Sequence, residues 1–264
     1  MSEIVGLLPA AGRGSRLGPI PCSKEIMPLG FQPSASAPLA WQPVTAIETH
    51  LNALHQAGAR RAVVIIGESK ADVVRYVGDG SRYGLATAYV YQQHLRGMPF
   101  ALSLARPWIG NATTLFSMPD TLITPRDTVA RLAEEHRRCG ADVTLGLFPT
   151  ATPQKFGMVA QDVEGRIVRF VDKPAQTDLT LMWGMAAWSP RFADFLDADL
   201  AHRPVDGPEV VLSDVFAAAL AGGLVIRGTV MEGARYHDIG TPEDFQSVVL
   251  HLALGHPQPA SNPQ

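Results

Sequence analysis

Short apolar runs rich in Val, Ile, Leu and Phe recur along the chain, and each is short enough to be a buried β-strand. They occupy residues 4–10, 62–67, 87–92, 113–118, 143–148 and 224–230. Amphipathic patterns between them predict helices. The first covers 43–57, with Val44, Ile47, Leu51 and Leu54 on one face and Gly58 as its end; the second covers 126–139 and stops at Gly140. Strands that alternate with helices predict an α/β fold, a mainly parallel sheet covered by helices on both faces.

The pattern changes between residues 156 and 188. Short alternating runs follow one another there without a helix between them, and Glu164-Gly165 marks a turn. This predicts a small antiparallel subregion that forms one wall of a cleft. Helices follow at 212–221 and at 242–254, the latter capped by Thr241 and opened by Pro242.

Composition narrows the class of protein. The chain has 264 residues, 46% hydrophobic, with a formal net charge of −3, so it lacks the basic field typical of nucleic-acid binding. Neither a membrane span nor a secretory signal is expected near the start, which favours a cytoplasmic protein. We expect one domain over 1–255, a disordered polar tail over 256–264, and free thiols at Cys22 and Cys139.

The segment after the first predicted strand combines glycines with basic residues. Gly12 and Gly14 suggest a dinucleotide-binding loop, but that fingerprint needs a third glycine where Leu17 stands. A P-loop is excluded as well, because no Gly-Lys pair occurs in the sequence. Two interpretations remain: a loop whose backbone and the cations Arg16 and Lys24 hold an anion, or a tight turn with solvated basic residues.

A wider set of motifs favours the first interpretation. The set runs Leu8-Pro9-Ala10-Ala11-Gly12-x-Gly14-Ser15-Arg16-Leu17, Ser23-Lys24-Glu25, Gly78-Asp79-Gly80-Ser81, Pro119-Asp120, Phe156-Gly157, Asp172-Lys173-Pro174, Leu212-Ser213-Asp214-Val215 and Asp238-x-Gly240-Thr241. In this order it resembles the sugar-1-phosphate nucleotidyltransferases, in particular the glucose-1-phosphate thymidylyltransferases and uridylyltransferases. No single motif is specific, but the ordered set spans most of the chain.

The resemblance implies a Rossmann-like, GT-A-like fold and a Mg²⁺-dependent reaction in which a sugar 1-phosphate attacks the α-phosphorus of dTTP or UTP. The implied catalytic residues are Arg16, Lys24, Asp120 and Lys173. The implied nucleotide-binding residues are Ala10, Ala11, Gly12, Gly14, Ser15, Gln92 and Gly97. The implied sugar-binding residues are Phe156, Gly157, Asp172 and Trp183, and the implied metal ligands are Asp120 and Asp238. The family often forms homo-oligomers, so assembly is expected too.

Departures from the family pattern keep other functions open. Arg96 stands where an acid is usual, and Trp183 where a small or hydroxyl residue is usual. Phe156 stands where the family usually has a tyrosine, and Asp172 where it usually has a glutamate. With Trp183, these departures favour a smaller or less polar acceptor than glucose 1-phosphate. The alternatives are a cytidylyltransferase for a phosphorylated alcohol or phosphonate, and a catalytically silent nucleotide-binding homologue.

Overall fold

The computed structural model describes residues 3–33, 40–204 and 207–255; the tail predicted at 256–264 lies outside the described residues. The strands are β1 (Ile4–Pro9), β2 (Gly30–Pro33), β3 (Trp41–Val44), β4 (Arg61–Ile66), β5 (Ala86–Tyr91), β6 (Thr113–Ser117), β7 (Thr121–Thr124), β8 (Val143–Pro149), β9 (Gly157–Gln161), β10 (Ile167–Asp172), β11 (Leu181–Trp188), β12 (Ile226–Val230) and β13 (Arg235–Asp238). The helices are α1 (Ala46–Gln56), α2 (Ala71–Val77), α3 (Met98–Leu104), α4 (Arg106–Ile109), α5 (Thr128–Cys139), α6 (Pro190–Ala201), α7 (Leu212–Ala221) and α8 (Pro242–Gly255).

A central sheet in the order β10-β9-β11-β6-β1-β4-β5 organises the fold, and β8 pairs with both β11 and β12. The strand β1 lies parallel to β4 on one side and to β6 on the other. Each predicted apolar run contains a strand, and the predicted α/β class is confirmed. The chain moves outward from β1 through β4 and β5 and then returns to β6. This reversal of strand order makes a crevice at the carboxyl end of β1, where open α/β sheets bind their ligands.

Residues of β1 alternate between two cores on the two faces of the sheet. Leu7 packs in the cluster that contains Trp188 and Phe216, whereas Leu8 packs in the cluster that contains Leu51 and Phe148. This alternation follows from the strand period of two residues. Full burial of a large apolar side chain contributes about 1.5–3 kcal/mol relative to exposure, so β1 anchors the loop that follows it.

The predicted antiparallel subregion is confirmed. The strands β9 and β10 pair antiparallel around a turn at Gly165, which has a φ of 79°. The strand β11 pairs antiparallel with β9, β6 and β8, which joins the subregion to the main sheet. Asp172, at the end of β10, and Trp183, within β11, are thereby held on one rigid wall.

The predicted start of the first helix is wrong. Residues 41–44 form β3, which pairs antiparallel with β2, so their backbone groups are engaged in a hairpin. The helix α1 begins at Ala46, where Thr45 accepts a hydrogen bond from the backbone N–H of Glu48. The remaining predicted helices are present, including α8, whose Asp244 N–H donates to Thr241 Oγ1. Among the described residues, none of the helices is long and apolar enough to cross a membrane.

Two short strands missed by the sequence patterns bring distant segments together. The strand β7 pairs antiparallel with β13, and the register places Asp238 opposite Thr121. Asp120 directly precedes Thr121, so the carboxylates of Asp120 and Asp238 approach the same end of the crevice. This pairing is the step of the fold that assembles the two acidic residues.

Candidate active site

A cleft of about 670 Å³ opens at the carboxyl end of β1. Fourteen of the predicted site residues line it: Ala11, Gly12, Ser15, Arg16, Lys24, Gln92, Gly97, Asp120, Phe156, Gly157, Asp172, Lys173, Trp183 and Asp238. One wall is the glycine- and arginine-containing loop after β1, and the opposite wall is the antiparallel subregion. The fold therefore gathers segments from most of the chain into one site.

Two predicted nucleotide-binding residues lie outside the cleft lining. Ala10 is fully buried in the core, and its N–H donates to the carbonyl of Ile65 at 2.7 Å. Gly14 has a φ of 67° and precedes the short turn over Ser15–Leu17. A side chain is disfavoured at that φ, so Gly14 shapes the loop. Ala10 thus contributes to the core, whereas Gly14 contributes to the conformation of the loop.

Lys24 forms an ion pair with Asp120, and both residues line the cleft. Only 8% of Lys24 is exposed. Burial alone would lower its pKa, but the charge and hydrogen bond of Asp120 oppose this, and the pKa of Lys24 is raised overall. The side chain is therefore a fixed ammonium at neutral pH, suited to a phosphate oxygen.

Asp238 lies beside this pair. Burial and then the charge of Asp120 raise the pKa of Asp238, while the charge of Arg16 and the N–H of Gly240 act in the opposite direction. The guanidinium of Arg16 and the carboxylate of Asp238 both lie next to Gly240. A Cβ added to Gly240 would be 2.8 Å from Arg16 Nη2 and 3.0 Å from Asp238 Oδ1. A buried carboxylate that lies beside a second carboxylate would be stabilised by a bound cation.

The donor set fits Mg²⁺ better than a protein-saturated metal such as structural zinc. Within the described ranges there is no group of three or more His, Cys, Asp or Glu residues arranged around a metal position. Mg²⁺ commonly takes one or two carboxylates and fills its other positions with water and substrate phosphate oxygens. Asp120 and Asp238 supply carboxylates of this kind at the open cleft.

The predicted base-binding residues Gln92 and Gly97 both line the cleft. Gln92 follows β5, is 5% exposed and is held by a 2.8 Å hydrogen bond from its N–H to the carbonyl of Ile66. Gly97 has a φ of 104°, and a side chain there would collide with the carbonyl of Val210. Glycine at this position therefore allows the backbones of the two segments to approach closely.

The opposite wall is aromatic and carries an internal hydrogen-bond chain. Trp183 is 6% exposed and donates its Nε1–H to Ser213 Oγ at 3.1 Å. Ser213 Oγ in turn donates to Asp172 Oδ1 at 3.4 Å. Phe156 packs edge-on against Tyr236 with ring centroids 5.8 Å apart. Trp183 therefore lies in the cleft wall with most of its ring in the core.

Two further residues of this wall, Gly157 and Lys173, have an unusual backbone environment or conformation. A Cβ on Gly157 would collide with Trp183 and lie 2.7 Å from Ser213 Oγ, so only glycine fits beside the indole. Lys173 has a φ of 43°, an uncommon backbone conformation for a residue with a side chain. Its N–H donates to the carbonyl of Phe156 at 3.0 Å, which holds the strained residue at the cleft. Strain of this kind is often retained at functional positions.

Sequence reasoning missed several cleft residues. Lys155 lines the cleft and forms an ion pair with Asp244 at 2.8 Å. Its position directly before the Phe156-Gly157 motif is a signal that could have identified it. Tyr236 also lines the cleft, and burial together with the charges of Asp120 and Asp238 raises its pKa well above the ordinary value. Nothing local in the sequence separates Tyr236 from an ordinary core aromatic.

The fold and the cleft together define an α/β domain in which two carboxylates lie beside a basic loop. A family model described as nucleotidyl transferase matches residues 5–253. The chain belongs to the nucleotidyl transferase family, and the resemblance drawn from its ordered motifs is confirmed.

Named relatives fall in this family. A glucose-1-phosphate thymidylyltransferase of Streptomyces griseus is 26% identical over 246 residues, covering 92% of this chain and 64% of the relative. A mannose-1-phosphate guanylyltransferase of Mycobacterium tuberculosis is 29% identical over 261 residues, covering 98% of this chain and 67% of the relative. This chain thus spans about two thirds of the length of either relative.

A solved structure of a UDP-glucose pyrophosphorylase complexed with UDP-glucose has the same architecture. It aligns with a TM-score of 0.78 at 19% identity, covering 97% of this chain and 100% of the other. At this identity the likeness concerns the fold.

Proposed function

We propose that the protein is a Mg²⁺-dependent sugar-1-phosphate nucleotidyltransferase that uses dTTP or UTP and releases an NDP-sugar and pyrophosphate. The observation that carries the proposal is the composition of one cleft. Arg16 and Lys24 on one wall adjoin the carboxylates of Asp120 and Asp238, and Lys173 stands on the other wall. This arrangement provides cations for two phosphorylated substrates and acids for a metal ion.

The reaction brings two anions together, so charge neutralisation and alignment contribute most of the catalysis. An oxygen of the sugar 1-phosphate forms a bond to the α-phosphorus, and the bond from that phosphorus to the bridging oxygen of pyrophosphate breaks. Lys24 would contact the α-phosphate, and Arg16 would bind outer phosphate oxygens through its two-pronged guanidinium. Lys173 would hold the attacking phosphate from the opposite wall.

Asp120 and Asp238 are the residues that would hold the metal ion. Bound there, Mg²⁺ would neutralise phosphate charge and orient the triphosphate. The ion pair between Lys24 and Asp120 shows that Asp120 already attracts a cation in the described structure. The raised pKa of Asp238, caused by burial and by Asp120, agrees with a carboxylate that gains from such a neighbour.

The nucleobase and the acceptor are proposed from two sets of residues that line the cleft. The buried amide of Gln92 and the close backbone approach at Gly97 support a pyrimidine, read through its hydrogen-bonding edge. The relatives named above act on thymidine and guanosine nucleotides, so GTP is the competing nucleotide. The aromatic wall at Trp183 and Phe156 supports a compact acceptor. Because these substrates are intracellular metabolites, we place the protein in the cytoplasm.

Pyrophosphate release with dTTP, UTP, CTP, GTP and ATP tests the proposal. Each nucleotide is combined with a panel of sugar 1-phosphates, with phosphocholine, and with Mg²⁺ or EDTA. We expect turnover that requires a sugar 1-phosphate and Mg²⁺, with dTTP or UTP preferred. Turnover of CTP with phosphocholine would replace the proposal by the cytidylyltransferase alternative.

Triphosphate binding without turnover would indicate a silent homologue. Thermal unfolding separates that case from an inactive preparation, because a ligand at 100 times its Kd adds about 2.7 kcal/mol of stability. Asp120→Asn serves as the control for active-site binding in both assays. Absence of both binding and turnover would contradict the proposal altogether.

A further inference from the structure

Lys24 lies between two residues that are both tied to the beginning of α2. Ser23 donates to Asp72 through its N–H and its hydroxyl, each at 2.7 Å. Glu25 accepts a hydrogen bond from Lys70 Nζ, also at 2.7 Å. Polar groups on either side of Lys24 are thus bonded to the beginning of α2, whereas the ammonium of Lys24 is paired with Asp120 in the cleft, which Glu25 also lines.

The pair of Glu25 and Lys70 is buried. Glu25 is 1% exposed and Lys70 is 2% exposed. Burial raises the pKa of Glu25, and the neighbouring charge of Lys70 acts in the opposite direction. A buried ion pair is weak support for stability, since apolar residues of similar size often stabilise as well. The proposed reaction makes no direct use of Lys70, so its presence calls for another reason.

Glu25 and Asp120 are competing anions for the ammonium of Lys24. In the structure Lys24 is paired with Asp120, but Glu25 is close enough for its charge to raise the pKa of Lys24. If Glu25 lost its own partner, a buried and uncompensated carboxylate would remain next to Lys24. Lys24, which precedes Glu25 in the chain and lines the same cleft, would be a cation available to it.

We propose that Lys70 is a positioning residue: it binds Glu25 and thereby keeps the ammonium of Lys24 beside Asp120 in the cleft. The double hydrogen bond between Ser23 and Asp72 fixes the backbone on the other side of Lys24. Lys70 itself does not line the cleft, so it would act through Lys24 without touching a substrate. The inference rests on the proposed function, in which Lys24 contacts the triphosphate.

Steady-state kinetics of Lys70→Met tests this role. Removal of the ammonium is expected to draw Lys24 towards Glu25 and to lower kcat about 10²-fold, the usual effect of an ångström-scale misplacement. The KM for the triphosphate should change only a few-fold, because other groups bind its outer phosphates. Arg75→Met is the matched control: it removes an exposed cation from α2, the helix that Lys70 directly precedes, and should behave as wild type.

The double variant Glu25→Gln/Lys70→Met separates positioning from general damage. It removes the competing anion together with its partner, so we expect most of the lost kcat to return. A double variant as slow as Lys70→Met, or Lys70→Met with kcat within two-fold of wild type, would overturn the inference. If Lys70→Met does not fold, Lys70→Gln takes its place, because its amide can still donate to Glu25 without neutralising it.

A crystal structure of the Lys70 variant supplies a readout that does not depend on activity. We expect Lys24 Nζ to lie nearer to Glu25 than to Asp120, the reverse of the wild-type arrangement. Unchanged pairing with Asp120 would overturn the inference. Wild-type protein without turnover on any substrate would contradict the proposed function, while this structural comparison would still test the role of Lys70.

Discussion

Replacement of Trp183 by phenylalanine is expected to change the acceptor preference. Trp183 is 6% exposed, lines the cleft and packs against Phe216 with ring centroids 5.4 Å apart. A smaller ring would widen the cleft next to residue 183 and remove the donor to Ser213. Glucose 1-phosphate is therefore expected to be a poor substrate of the wild type and a better one for Trp183→Phe.

The surroundings of the indole determine both the expected loss of stability and the expected change in acceptor preference. Trp183→Ala would cost about 3–5 kcal/mol, a large share of the about 5–15 kcal/mol that stabilises a typical domain. Phenylalanine keeps a ring against Phe116 and Phe216, so the loss should be about 1–2 kcal/mol, mainly the hydrogen bond and part of the ring. An apolar wall discriminates by about 1–3 kcal/mol per methylene, or 10–200-fold.

The assay is kcat/KM for glucose 1-phosphate and for xylose 1-phosphate, which lacks the sixth carbon. We expect the glucose-to-xylose ratio to rise about tenfold in Trp183→Phe. Trp188→Phe is the matched control, because Trp188 lies on the same strand, is 1% exposed and does not line the cleft. Urea unfolding of both variants separates a change in stability from a change in preference.

Two outcomes would refute the reasoning about Trp183. One is efficient use of glucose 1-phosphate by the wild type, at a rate equal to that for xylose 1-phosphate. The other is an unchanged ratio in a folded Trp183→Phe variant. Either would mean that the indole is a core side chain whose exposed edge does not meet the acceptor.

Three further predictions concern charge. Asp120→Asn and Asp238→Asn should each abolish Mg²⁺-dependent turnover in a folded protein, checked by pyrophosphate release. A variant with the wild-type rate would show that the substituted carboxylate is not a metal ligand. Arg16→Ala and Lys24→Ala should each lower kcat about 10²–10³-fold, measured under saturating substrates; a change of only a few-fold would favour the alternative interpretation, a tight turn with solvated basic residues. His50→Gln should make the unfolding free energy less dependent on pH between about 6.5 and 4, measured by urea titration at several pH values.

The sign of the His50 effect follows from its burial. Burial lowers the pKa of His50 to about 4, opposed in part by its contact with the carbonyl of Thr121 at 2.9 Å. Between about 6.5 and 4 the unfolded chain therefore binds the proton and the folded chain does not, so stability falls as the pH falls. The shift corresponds to about 3 kcal/mol, lost across this window. An equal pH dependence in His50→Gln would contradict the assignment.

Local sequence determined the elements and the chemistry they carry. The apolar runs predicted β1, β4, β5, β6, β8 and β12 because a strand buried on both faces needs a continuous apolar stretch. Positive φ values at Gly14, Gly97 and Gly165 likewise agree with glycines noticed in the sequence, because other residues are disfavoured there. The ordered motifs were enough to identify the family.

Tertiary structure decided which of these residues meet. The pairing of β7 with β13 brings Asp238 beside Asp120, yet backbone hydrogen bonds between distant strands leave no residue-specific signal in either segment. The same limit applies to β3, whose pairing with β2 prevents residues 41–44 from joining α1. Ala10 has its motif position but lies in the core, because successive side chains of the extended segment at the end of β1 alternate in direction.

The burial of charge was equally invisible in the sequence. Lys70 and Glu25 look like ordinary surface residues when read locally, and only the packing of α2 against the basic loop encloses them together. Desolvation and the distances between charges determine this ion pair, and they also determine that the ammonium of Lys24 pairs with Asp120. These quantities exist only once the chain has folded, whereas the periodicity, turns and motif order are properties of the sequence itself.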